Sequence, residues 1–186
     1  MSIEHRYELE GLTAAGRLAA RTRDALLAAA HPGVTPRDLD AIGAEMIRRA
    51  GGRPAPVLQV GFPAATCISV NEVVAHGVPD DRPLADGDLL NVDVSVELDG
   101  FWADTGASTT VGAADPDLAA LLATGRAALD AALSAVRSGG RLNALGRAAE
   151  AVATAAGRCT LRDLCGHGVG RALWEEPSEV HGYYEP

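Results

Sequence analysis

Cysteine and basic charge are both scarce in this chain of 186 residues. The three cysteines are too few and too irregularly spaced for a disulfide scaffold or a cysteine-rich zinc site, which favours a reducing cytoplasmic compartment. Lysine and arginine number 16 against 25 aspartates and glutamates. The resulting net charge of −9 argues against binding of nucleic acid, which requires a basic surface.

Long apolar runs are absent as well. Charged residues interrupt the first thirty positions, so these do not form the apolar core of a signal peptide. No uninterrupted apolar stretch approaches the roughly 18 residues that cross a bilayer. With 47% hydrophobic residues the chain can bury a core. We therefore expect residues 1–186 to form a single soluble domain without a membrane partner, acting as a monomer.

The stretch Asn91–Thr105 is the most informative part of the sequence. Apolar and polar residues alternate over positions 91–98, which is the period of a strand buried on one face. Asp99-Gly100 then supplies a two-residue turn, so we predict a β-hairpin. The polar face of this hairpin has two interpretations: a solvated sheet face, or a site, which the large Trp102 on the same face favours.

The register of this hairpin decides where two aspartates lie. Pairing of Leu98 with Phe101 across the turn places Asp93 opposite Gly106, with Asp104 as its diagonal neighbour on the same face. Diagonal neighbours lie about 7 to 8 Å apart at the backbone, so both carboxylates can converge on one ligand. Two negative charges so placed repel each other unless a cation lies between them.

Four helices are predicted from apolar spacings of three and four residues and from end signals such as Thr35-Pro36 and Gly51-Gly52. The predicted ranges are Tyr7–Ala30, Thr35–Ala50, Asp115–Ser138 and Asn143–Ala156. The stretch Pro54–Pro63 is expected to be extended but interrupted, and Thr66–His76 to begin as a strand.

Residues 33–51 and 139–157 form a weak internal repeat. The alignment matches the flanking glycines, Leu39 with Leu145, Met46 with Val152, and Ala50 with Ala156. Either two alanine-rich helices resemble each other by composition, or the chain contains two related α+β halves.

Histidines near glycines could complete a metal site. Asp93, Asp104 and His167 are donor types that suit Mn, Fe, Co or Zn, whereas the lack of a Cys-x-x-Cys pair disfavours a structural zinc. His167 lies between two glycines, which let backbone approach a ligand closely; alternatively it is a loop histidine that bonds to a carbonyl. His76 leads into a Gly/Pro turn and is uninformative by itself.

Together these segments resemble the type I methionine aminopeptidases of the creatinase or pita-bread metallopeptidases, peptidase family M24. The matching strings are Cys67–Pro79, Asp86–Thr105, Cys165–Gly170 and Glu175–Pro177. The resemblance implies an α+β pita-bread fold with a pseudo-twofold repeat. It also implies a hydrolase with two divalent metal ions that removes the initiator methionine from peptides or from nascent proteins at the ribosome.

The resemblance assigns roles to individual residues. Asp93 and Asp104 match the two aspartate ligands of the family, Asp104 being the one that bridges the metals, and His167 matches its histidine ligand. His76 matches the histidine that contacts the substrate and supports the tetrahedral intermediate. Cys67 matches a wall of the methionine pocket.

The sequence departs from the family at two points. Trp174 stands where the family has a second, substrate-binding histidine, and an indole cannot accept a hydrogen bond or transfer a proton. The chain ends at Pro186, before the two further glutamate ligands, so the second half of the fold is expected to be incomplete. The sequence Glu185-Pro186 is interpreted as loop. We therefore expect weak metal binding and doubtful activity for these 186 residues.

Two alternatives to a methionine aminopeptidase are left open, and the departures favour the first of them. The first is a degenerate, non-catalytic member of the fold that serves as a peptide- or partner-binding module. The second is a proline-specific peptidase of the same family, disfavoured because such enzymes carry an additional N-terminal domain and the strings match the methionine type.

Overall fold

The computed structural model describes residues 2–186. Within it the chain forms two compact units. The first consists of residues 2–115 and 169–173, and the second of residues 116–168 and 174–186.

The first unit is an antiparallel sheet with helices packed on one face. In chain order its elements are α1 (Arg6–Ala29), α2 (Pro36–Arg49), β1 (Arg53–Pro54), α3 (Ala55–Val60), β2 (Cys67–Val70), β3 (Leu89–Leu98) and β4 (Phe101–Thr110). Strand β3 pairs with β4 over its whole length, and on its other edge with β2 and β1. The helix α1 packs on both strands of the β3–β4 hairpin.

The core of this unit follows from the alternation in β3. Leu90, Val92, Val94 and Val96 are fully buried and join apolar residues of α1 and α2 in one cluster. Burying a side chain of this kind stabilises a fold by about 1.5 to 3 kcal/mol. The helix-packed face of β3 is therefore fixed, and its polar residues must take the opposite face.

Local end signals determine where the helices begin. The hydroxyl of Thr35 accepts a hydrogen bond from the Asp38 backbone N–H (3.0 Å), and the Asp38 carboxylate accepts one from the Thr35 N–H (3.0 Å). This reciprocal cap confirms the predicted start of α2.

The expectation of an extended Pro54–Pro63 stretch was wrong, because residues 55–60 form α3. Prolines are tolerated in a first helical turn, and Gly61 ends this helix in the left-handed region (φ 62°).

The second unit contains α4 (Pro116–Ala135), α5 (Asn143–Ala155), β5 (Cys165–Gly168) and β6 (Glu175–His181). The two strands pair antiparallel, with an irregularity between Gly166 and Gly168. No residue of α4 is buried within the described residues. By length and composition alone, α4 is long and apolar enough to cross a membrane, although Asp117, Arg126 and Asp130 interrupt its apolar sequence. A single such helix is a weak indication, because core helices of soluble proteins and signal sequences meet the same criterion.

The structure supports the internal repeat at the level of the helices. All four glycines of the alignment, Gly33, Gly51, Gly139 and Gly157, have positive φ angles. Ile47 of α2 and its counterpart Ala153 of α5 are both buried. Equivalent turn conformations and an equivalent buried position favour two related halves over a resemblance of composition alone.

Candidate metal and substrate site

The register of the β3–β4 hairpin brings two aspartates together. Asp93 pairs with Gly106, and Ser95 pairs with Asp104. Asp104 is thus the diagonal neighbour of Asp93 on the same face, as the sequence predicted. The two side chains are hydrogen-bonded to each other, which requires a proton on one of them.

The environment of Asp104 opposes a second negative charge. The pKa of Asp104 is raised well above its ordinary value by the protein atoms around it, by the charge of Asp93 and by the hydrogen bond between the two carboxyls. A hydrogen bond from the Thr105 backbone acts in the opposite direction. More than a third of Asp104 is exposed, so water weakens this shift without reversing its direction.

Cys67 lies next to this carboxylate pair. It begins β2 and is the cross-strand partner of Asp93. The thiol is buried, with 7% of the residue exposed. Burial raises the pKa of Cys67 to about 12, and the nearby charges of Asp93, Asp104 and Asp40 act in the same direction. A neutral thiol thus forms a compact apolar wall beside two carboxyls.

The polar face of the hairpin is not simply solvated. Ser95 and Glu97 on this face are buried. The Glu97 carboxylate accepts hydrogen bonds from the Arg53 guanidinium (2.7 Å) and from the Gly100 backbone N–H (2.6 Å). The interpretation of a solvated face is therefore wrong for the end of the hairpin near its turn.

His76 is held in an unusual backbone conformation beside β2. Its φ angle is 54°, in the left-handed region that non-glycine residues rarely adopt. The next residue fixes it there: the Gly77 carbonyl accepts from the Ile68 N–H (2.9 Å), and the Gly77 N–H donates to the Ser69 hydroxyl (3.1 Å). A Cβ atom on Gly77 would collide with the Ile68 carbonyl oxygen, so this approach requires glycine.

His167 and Trp174 belong to the second unit. His167 lies in β5, and its Nδ1 is 3.0 Å from the carbonyl oxygen of Gly168. The alternative interpretation of His167 was a loop histidine bonded to a carbonyl. The carbonyl contact is present, but His167 lies in a strand and not in a loop. With a proton on Nδ1 in this contact, Nε2 is the unprotonated ring nitrogen, which is the usual tautomer of a metal-ligating histidine. The Trp174 ring lies edge-on to the imidazole, with 6.3 Å between centroids, and 54% of Trp174 is exposed.

The structure thus groups the predicted residues in two sets. Cys67, Asp93 and Asp104 lie together in the first unit, and His167 contacts Trp174 in the second. Among residues 2–186 no group of three or more His, Cys, Asp and Glu side chains is arranged to hold a metal ion. The metal, substrate and catalytic roles of these residues stay predictions.

One supporting contact was missed from the sequence. The Asp40 carboxylate of α2 accepts hydrogen bonds from the backbone N–H (2.8 Å) and the hydroxyl (2.7 Å) of Thr66, which is fully buried. This contact fixes the start of β2 directly before Cys67. No periodic signal links two residues 26 positions apart.

Comparison with known proteins places this arrangement among peptidases. The model of metallopeptidase family M24 matches residues 10–185. Methionine aminopeptidase 2 of Bacillus subtilis is 39% identical over 187 residues, which cover 100% of this chain and 75% of that protein.

Solved structures agree with the sequence comparison. Methionine aminopeptidase from Rickettsia prowazekii superposes with a TM-score of 0.95 at 34% identity, covering 100% of this chain and 74% of that one. Prolidase from Pyrococcus furiosus superposes with a TM-score of 0.82 at 20% identity, covering 99% of this chain and 53% of that one. The second similarity is one of fold alone.

Proposed function

We infer that this chain, which belongs to metallopeptidase family M24, removes the N-terminal methionine from peptides and nascent proteins. The resemblance seen in the sequence motifs is confirmed, and the fold is the α+β pita-bread fold. The alternative of a non-catalytic binding module finds no support in the relatives. The observation that carries the proposal is the pairing of Asp93 and Asp104 on one face of the hairpin, with Cys67 beside them.

Family membership implies divalent metal ions, and the carboxyl pair fits them. The contact between the two carboxyls and the raised pKa of Asp104 mark a position where positive charge is favourable. We propose two ions, drawn from Co, Mn, Fe or Zn, with Asp93, Asp104 and His167 among their ligands. When bound, such ions supply Lewis-acid activation of the scissile carbonyl and of a water nucleophile.

The remaining site residues bind and orient the substrate. His76 is proposed to donate a hydrogen bond to the oxygen that becomes negative as the carbonyl is attacked, and the hydrogen-bonded turn at Gly77, which restrains the His76 backbone, supports this proposal. Cys67 is proposed to contact the methionine side chain, for which a neutral, polarisable thiol is suitable. The exposed Trp174 is proposed to contact the substrate next to His167.

We further propose that the protein acts in the cytoplasm as a monomer, on nascent chains at the ribosome, and without binding nucleic acid. Its three cysteines are free thiols, two of them exposed, which suits a reducing compartment. The net charge of −9 opposes direct contact with RNA, so an encounter at the ribosome would be with the peptide.

The test is methionine release from a Met-Ala-Ser peptide by the metal-supplemented protein. Asp104→Asn keeps the shape of the side chain but removes a proposed ligand, and it should lower kcat/KM at least about a hundredfold. Asp99→Asn is the matched control, because Asp99 lies at the hairpin turn with a φ of 52°, a conformation that asparagine also adopts. Equal activity of the Asp104→Asn variant and the wild type would refute the proposed role of the carboxyl pair.

A further inference from the structure

Arg23 has an unusual position on α1. Its side chain is only 22% exposed, on a helix whose inner face is otherwise built from residues such as Ala19 and Leu26. The guanidinium Nη1 donates a 2.6 Å hydrogen bond to the hydroxyl of Thr105, which is 82 positions away in β4. Its Nε and Nη2 donate to the Asp24 carboxylate (2.9 and 2.7 Å).

Placing the Arg23 guanidinium against the sheet costs desolvation free energy, and packing alone does not require a charged side chain there. Removing a guanidinium from water is unfavourable, whereas an apolar side chain at the same position would pack against the sheet without that penalty. The hydrogen bond to Thr105 is therefore specific: one charged group of α1 is directed at one hydroxyl of β4.

Thr105 connects the helix side of the sheet with the aspartate side. It directly follows Asp104, and alternate residues of a strand point to opposite faces. Its cross-strand partner is the fully buried Val94, so Thr105 faces the helices while Asp104 faces away from them. The Thr105 backbone also donates a hydrogen bond to the Asp104 carboxyl.

Within residues 2–186, β4 forms ladder hydrogen bonds along one edge only, so contacts from α1, such as the Arg23–Thr105 hydrogen bond, contribute to holding it. Among the residues that the structure describes in the first unit, β4 pairs with β3 alone, apart from one hydrogen bond from the Trp102 N–H to the Gly170 carbonyl (2.8 Å). Edge strands are held on one side only, and Gly106 offers no side chain that could restrain the backbone after Asp104.

We propose that Arg23 is a positioning residue for Asp104: by holding Thr105 from the helix side, it fixes the edge strand that carries the carboxylate. The inference rests on the proposed metal-binding role of Asp104. Arg23 touches neither metal nor substrate in this proposal and acts only through Thr105.

Two measurements on the full chain test this. In Arg23→Met the aliphatic stem remains but the donors are lost, and Thr105→Val removes the acceptor at nearly constant shape. Hydrogen exchange of a peptide covering residues 101–110, in metal-free protein, should become about tenfold faster in either variant. Calorimetric titration with Mn²⁺ should show about tenfold weaker binding. The double variant should be no worse than either single variant, because both break the same bond.

Matched variants separate positioning from general stability. Arg21→Met removes an exposed arginine of the same helix, whose Nε bonds to the Arg17 carbonyl, and should change neither readout. Arg23→Lys restores a charged donor and should recover most of the Mn²⁺ affinity. A purely structural role would lower the melting temperature while leaving Mn²⁺ affinity unchanged, and that result would overturn the inference.

The outcome also distinguishes this inference from the proposed function. If the wild type binds Mn²⁺ and Arg23→Met binds it equally well, Arg23 has no positioning role and the metal role of Asp104 stands. If wild-type protein binds none of Mn²⁺, Co²⁺, Fe²⁺ and Zn²⁺, the proposed metal role of Asp104 is refuted, and hydrogen exchange still decides whether Arg23 fixes β4. Unchanged exchange over residues 101–110 in the Arg23→Met variant overturns the inference by itself.

Discussion

Cys67 should be almost inert towards thiol reagents at pH 8. Its pKa is raised to about 12, chiefly because the thiol is buried and further because of the neighbouring aspartates. Only the thiolate reacts, and at pH 8 a thiol of that pKa is about one ten-thousandth ionised, whereas an ordinary thiol of pKa near 8.5 is about one quarter ionised. The rate of alkylation by iodoacetamide should therefore be at least about a thousandfold lower than that of an ordinary thiol.

The chain provides its own controls for this assay. Cys159 and Cys165 are exposed and free, so mass spectrometry of the digested protein compares all three thiols in one reaction. Cys67 is also only 7% exposed, and restricted access would slow its reaction as well. The pH profile separates the two causes, because ionisation makes the rate of Cys67 rise up to about pH 11 or beyond, whereas restricted access scales the rate equally at every pH.

The charges of Asp93 and Asp104 contribute less than burial does to the raised pKa of Cys67. Asp104→Asn removes one negative charge but leaves the burial of the thiol in place, so the Cys67 rate at pH 8 should rise by only about three- to tenfold. A Cys67 rate that levels off near pH 9 would refute the reasoning, since it would show a thiol of ordinary pKa behind a steric barrier.

Three further predictions concern stability and turnover. The pKa of Glu8 is lowered from 4.5 to about 2 by backbone N–H groups of residues 4 and 5 and by a nearby arginine, so its contribution to stability is present above pH 4.5 and is lost as the pH falls towards 2. Thermal melts of Glu8→Gln should show a lower melting temperature at pH 7 and a weaker pH dependence in that window; an unchanged profile would contradict the assignment. Gly77→Ala should lower the free energy of unfolding in urea by at least about 2 kcal/mol, because the new methyl group meets the Ile68 carbonyl, while Gly16→Ala, which has open space, should be neutral or stabilising. Trp174→His should raise kcat for methionine release by restoring a side chain that can accept and transfer a proton, and equal or lower activity would count against that role of the position.

Features that depend on neighbouring residues could be predicted from the sequence. The alternation in β3, the Asp99-Gly100 turn and the Thr35 cap are each specified within a few residues, and each is present in the structure. The short helix α3 is the counterexample. Its valines favoured a strand, but the prolines at its start and the left-handed Gly61 at its end stabilise a single helical turn and a half.

Contacts between distant segments could not be predicted in this way. Arg23 reaches Thr105 and Asp40 reaches Thr66 because the packing of α1 and α2 on the sheet brings them together. In the sequence, Arg23 is one of many charged residues on a helix and indicates only a solvated position. Family resemblance supplies residues that touch the substrate or metal, but not the contacts by which one particular chain supports them.

On the polar face of the hairpin, charge pairing distinguishes a carboxylate that stabilises the fold from one that is suited to bind a ligand. Glu97 and Asp104 lie on the same face; Glu97 is buried, whereas Asp104 is partly exposed. Arg53 neutralises Glu97, and the pKa of Glu97 is lowered despite its burial. The fold therefore stabilises the charged form of this carboxylate. Asp104 instead faces the negative charge of Asp93, and its pKa is raised. Folding alone favours the first arrangement and disfavours the second. A repulsive pair on an otherwise neutralised face is therefore best explained by a cationic ligand, which turns the same repulsion into affinity.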